Sequence, residues 1–86
     1  MKTPNVSSIR TAGHRSVAVS WKGGAESLID LSEFLARFKV FASLRSDDEL
    51  FGQVSIGEWG WYIGWSDEME ISSDTLWRLA REQSGL

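Results

Sequence analysis

Two adjacent glycines, Gly23 and Gly24, separate stretches in which apolar residues recur at every second position, and this restricts the chain to folds built around a β-hairpin. Before them, Val17, Val19 and Trp21 alternate with small residues in Ser16–Trp21. After them, Glu26 to Leu31 places Ile29 and Leu31 on one face and Leu28 on the other. A weaker strand is expected upstream over Val6 to Ala12, and Met1 to Asn5 reads as a loose terminus.

At Asp30 the period changes. Phe34, Leu35 and Phe38 fall at helical spacing, and Asp30 with Glu33 reads as a capping box at the start of a short helix. Ser46 and Glu49 read as a second capping box, opening one turn that buries Leu50 and Phe51. Alternation returns in Gln53 to Ile56 and in Trp61 to Trp65, joined across Gly57 to Gly60 as a second hairpin. The alternation places Trp61, Ile63 and Trp65 inward and Tyr62 outward. Asp67 to Glu70 is a polar excursion around Met69. Ser72 then caps a final helix with an apolar stripe of Leu76, Leu79 and Ala80, Trp77 on its flank, and Gly85 at its end. The expected fold is one α+β domain over residues 1–86, with a small, mostly antiparallel sheet of about four to five strands. Two short helices and a C-terminal helix pack on it.

A domain of 86 residues with no cysteine rests on its packed core, and five Trp and four Phe supply the large apolar surfaces this needs. Absence of cysteine fits a reducing, cytoplasmic setting. No run approaches a membrane span or a signal peptide, so no membrane association is expected. The formal net charge of −3 lacks the basic footprint of a freestanding nucleic-acid binder, and no direct nucleic-acid partner is expected.

The run "IDLSEFL" after the hairpin, then "DELFGQVSI", then "WSDEMEISSDTLW", resembles the bacterial family known as domain of unknown function 2442. Asp30, Leu31 and Ser32 match its Asp-Leu-Ser segment, and Trp65, Ile71, Asp74, Thr75 and Leu76 match its closing motif. Ser66, Asp67 and Glu68 stand where the family has Pro-Asn-Gly, and Ser73 stands where it has Pro. The resemblance implies a small α+β fold with a mixed or antiparallel sheet, found alone or joined to a helix-turn-helix domain. It also implies a genetic setting in which some members lie beside a small partner, as in toxin–antitoxin pairs. It brings no catalytic residues. The 86 residues are expected to leave no room for a helix-turn-helix module after the last helix.

No catalytic, cofactor-binding or metal-binding constellation is read from the residues. His14, the single histidine, falls in the turn Gly13-His14-Arg15 and reads as a solvated turn residue and not as a catalytic base. Asp67, Glu68, Glu70 and Asp74 lack the alternation and central glycine of an EF-hand loop. Gly23-Gly24 lacks the Gly-Lys-Ser/Thr ending of a phosphate loop. The candidate interaction surface is Trp59, Tyr62, Glu58 and Trp77. The expected function is a non-enzymatic protein-interaction module of a regulatory or toxin–antitoxin-linked kind, binding a protein partner or itself. The alternative is a small enzyme or ligand-binding protein using Glu58, Asp67 or Glu70 beside an aromatic pocket.

Overall fold

The computed structural model describes residues 3–84. Met1 and Lys2 of the expected loose terminus, and Gly85 of the expected helix end, lie outside them. The elements run β1 (Val6–Thr11), β2 (Ser16–Trp21), β3 (Glu26–Asp30), α1 (Ser32–Arg37), α2 (Ala42–Ser46), α3 (Asp48–Phe51), β4 (Ser55–Ile56), β5 (Tyr62–Ser66), β6 (Met69–Ser72) and α4 (Ser73–Gln83). Short 3₁₀ turns cover Lys39–Phe41 and Glu58–Gly60. The α+β class and antiparallel pairing stand as the alternation indicated. The six strands form two three-stranded sheets, ordered β1-β2-β3 and β4-β5-β6. The sixth is Met69–Ser72, where alternation spans too few residues to stand out. A two-residue turn at Asp67 and Glu68 joins it to β5, where the family pattern has Pro-Asn-Gly.

The core follows from the pleat. Val17, Val19, Trp21 and Ile29 point inward from the first sheet and Ile63 and Ile71 from the second, all with at most 2% exposure. Leu35, Leu44, Phe51 and Leu76 close it from the helices. Trp21 is buried with its indole N–H donating to the Ser27 hydroxyl at 2.9 Å, so its one polar atom stays paired. Removing some 150–250 Å² of aromatic surface from water at a position like this is what lets so short a chain fold without crosslinks.

Helix starts divide into those that match local rules and one that shifts. The Ser72 hydroxyl accepts from the Thr75 N–H at 3.2 Å and caps α4. The Asp47 carboxylate accepts from the Leu50 N–H at 3.0 Å and caps α3, one residue later than the Ser46 capping box predicted. At α1, Leu31 takes the cap position, and the Asp30 carboxylate accepts the Ser32 N–H two residues ahead at 2.9 Å. The Ser32 hydroxyl, then that Ser32 N–H, then the charge of His14 hold the Asp30 carboxyl below the usual carboxylate range. A depressed folded-state pKa stabilises the fold above the unfolded pKa, and the gain is lost as pH falls through the folded value. Asp30→Asn is therefore expected to flatten the acid limb of a Tm-against-pH curve below about pH 4. An unchanged acid limb in thermal melts would remove Asp30 from that account.

One buried charge ties the helices to the first sheet. Arg15 sits in the left-handed region (φ 55°) between Gly13 and β2, with only 5% exposure. Its guanidinium meets Asp48 Oδ1 at 2.8 Å, donates to the Arg45 carbonyl at 3.0 Å and lies 5.2 Å from the centre of the Phe51 ring. Its own backbone carbonyl accepts from Leu31 N–H at 2.8 Å.

Candidate functional site

The segment Gly57 to Trp61 is built so that two tryptophans stand in solvent. Gly60 takes φ 75°, and a Cβ there would lie 2.1 Å from the Val6 carbonyl oxygen, so the turn presses backbone to backbone on β1. Gly57 lies under the Tyr62 ring, where a Cβ would meet ring carbons at 2.2 Å. The Gly57 N–H donates to the Tyr62 carbonyl at 2.7 Å and closes the loop. Asn5 donates its side-chain amide to the Trp59 carbonyl at 2.7 Å, and the Ser73 N–H donates to the Trp61 carbonyl at 2.8 Å. Every anchor grips backbone or glycine, and none grips the Trp59 or Trp61 ring.

The consequence is direct. Trp59 is 67% exposed and Trp61 60% exposed. Trp59 itself holds φ 60° and ψ 10°, a conformation that is an outlier for a bulky side chain and costs on the order of 1–3 kcal/mol. Its indole N–H donates to Glu58 Oε1 at 3.1 Å, so the neighbouring carboxylate orients the ring without covering it. Alternation counted back from Ile63 put Trp61 inward. The backbone at Trp61 is helical instead (φ −77°, ψ −15°), the strand begins at Tyr62, and the ring leaves the sheet.

The other sequence candidates lie elsewhere or do other work. Tyr62 is half-buried against Gly57. Trp77 is half-buried and packs edge-on against Trp21 with ring centres 5.0 Å apart. Trp65 faces inward, stacks 5.7 Å from Phe51 and donates its indole N–H to the Phe51 carbonyl at 2.8 Å. Asp67 and Glu70 line a recess of about 220 Å³ with Tyr62 and Trp65, while Glu58 lies outside it. Ligand sites are usually 300–1,000 Å³ and enclosed, so this recess is smaller and more open than most of them. His14 is exposed in the turn before β2. Among the described residues no group of three or more His, Asp or Glu side chains is placed to hold a metal ion. Also among them, no helix is long and apolar enough to cross a membrane.

Arg15 and Trp61 are the residues that the linear pattern did not single out. The side-chain partners of Arg15 lie 30 residues or more along the chain, so no local signal marks it. Gly60 was the available hint for Trp61, because a glycine directly before a strand often forces a positive φ and resets its phase.

A family model described as "Protein of unknown function (DUF2442)" matches residues 6–82. No curated protein matches. A solved structure from Nitrosomonas europaea, described as a "putative DNA binding protein", superposes with a TM-score of 0.86 at 26% sequence identity. It is matched over 95% of this chain, which spans about half (52%) of that longer chain. That description overturns the expectation that nucleic acid is no partner. The expectation rested on a net charge of −3, which averages the whole surface, whereas phosphate contacts depend on local placement of Arg and Lys.

Proposed function

We propose that this chain, which belongs to the DUF2442 family, is a non-enzymatic docking module that grips a protein partner through Trp59 and Trp61. The observation that carries this reading is a pair of exposed indoles on a turn whose backbone is fixed from four sides. Each contact that fixes the turn costs conformational entropy, yet none of them buries a ring. Open rings on a backbone that is already fixed add little backbone ordering cost when a partner covers them, which is the physics of an interface anchor. Together they offer on the order of 300 Å² of apolar surface. The acid recess supports a ligand-binding or enzymatic reading less well, because it is small and open.

The test uses two variants. Trp59→Ser with Trp61→Ser is expected to leave the circular-dichroism spectrum unchanged. It is also expected to weaken binding of the purified partner, captured from native cells and identified, by about 30-fold or more, the loss of one hot spot. Trp59→Gly removes a large ring but suits φ 60°, so its Tm should stay level or rise, against the usual penalty for losing an aromatic. Capture that is indifferent to both variants would sink the proposal. So would a low-salt gel shift with duplex DNA that disappears in the double variant, since the rings would then serve a nucleic-acid contact.

A further inference from the structure

We propose that the free edge of β3 accepts an extended basic-apolar peptide as a fourth strand of the first sheet, at a site separate from the tryptophan turn. Among the described residues, in the order β1-β2-β3, β3 has β2 on one side only. Backbone groups of an antiparallel strand point to alternate sides. The Asp30 N–H donates to Gln83 Oε1, and the Gln83 side-chain amide donates back to the Asp30 carbonyl, both at 2.8 Å. That reciprocal pair is what a neighbouring strand residue would make, and it fixes the phase. The N–H and C=O of Leu28 and Glu26, two and four residues before Asp30, also point away from β2.

Among the described residues these groups have no partner, and they open onto a groove of about 570 Å³ between the β3 edge and α4, lined among others by Leu28, Trp77, Ala80 and Arg81. Leu28 is 66% exposed beside it, an apolar edge position of the kind natural sheets usually blunt with charge or proline. Gln83 closes one end, so the vacant length is the Glu26–Leu28 stretch.

Charge selects the occupant. A second copy pairing antiparallel about Leu28 would set Glu26 opposite Asp30 of the copy at both ends, placing like charges across the ladder, and Gln83 already holds the Asp30 backbone. A lysine or arginine on the outer face of the incoming strand instead meets Glu26. Its inward-facing neighbours meet Trp77 and Ala80, and Arg81 on the far wall rejects a basic side chain there. The occupant is thus an extended segment alternating basic and apolar residues, bound by β-augmentation.

The probe is a seven-residue, end-blocked peptide alternating lysine and valine, with fluorescence anisotropy as the readout. Saturable binding is expected, and it should survive Trp59→Ser with Trp61→Ser, which separates this site from the docking turn. With the peptide antiparallel to β3, a residue whose amide faces the β3 backbone carries its side chain on the outer face, so N-methylation of the lysine amides should abolish binding and N-methylation of the valine amides should not. Glu26→Lys should weaken it roughly fivefold or more, and Leu28→Pro should abolish it while the circular-dichroism spectrum holds, because the lost N–H faces away from β2. Hydrogen exchange at Glu26 and Leu28 should slow on binding. Absence of saturation overturns the proposal, as do equal effects of the two methylation patterns, equal binding of a glutamate-valine peptide, or a doubled mass for the protein alone by light scattering.

Discussion

Gly60→Ala is expected to lower the Tm by on the order of 10–30 °C, the first of the two largest effects anticipated for single substitutions in this chain. Two penalties add. An L-residue at φ 75° costs about 1–2 kcal/mol. The new methyl would stand 2.1 Å from the Val6 carbonyl oxygen and 3.0 Å from its nitrogen, so β1 or the turn must move. Forced shifts in packed regions cost about 1–3 kcal/mol more. The sum, about 2–5 kcal/mol, is a large share of the ~4–13 kcal/mol that stabilises a domain of this length. Gly57→Ala is the control. It also overlaps its neighbour, but that neighbour is the Tyr62 ring, a side chain that can rotate, and Gly57 has an ordinary φ of −81°. Thermal melts should therefore rank Gly57→Ala well above Gly60→Ala. Equal melting temperatures would mean that the turn does not press on β1.

The same glycine shows where linear reading of this chain stops. The first hairpin was legible because Val17, Val19 and Trp21 alternate without interruption and Gly23-Gly24 marks the reversal. The α4 cap and stripe were legible because the Ser72 cap reaches only as far as Thr75 and the buried Leu76 and Ala80 recur four residues apart. Trp61 was not, since its orientation is set by Gly60 pressing on Val6, 54 residues away, and no period within a ten-residue window carries that contact. Leaving Trp61 out of the candidate surface and placing Tyr62 and Trp77 in it follow from the same limit. Strand phase was counted from Ile63 through a residue that is not in the strand. Trp77 looked like a flank residue on the helix, and only the packing of α4 against the hairpin lays it across Trp21.

Arg15 was hidden for a similar reason, and its removal is the second large effect expected. Arg15→Ala should lower stability by about 2–4 kcal/mol, with most of the loss independent of salt. The guanidinium is buried, so its hydrogen bond to the Arg45 carbonyl and its place over the Phe51 ring are screened little by ions. Asp48, by contrast, keeps 84% of its side chain exposed, so its half of the ion pair is worth little. Asp48→Asn should then cost less than about 1 kcal/mol, and that small loss should fade in high salt. Arg15→Lys should resemble the alanine variant more than the parent. An ammonium cannot present a flat face to Phe51 while donating along two diverging directions to Asp48 and Arg45. Urea melts of the three variants at low and high salt decide the matter. If Asp48→Asn matches Arg15→Ala, the surface ion pair and not the buried contacts joins α2 and α3 to the first sheet. If Arg15→Lys is as stable as the parent, charge alone is sufficient and the planar fork is not required.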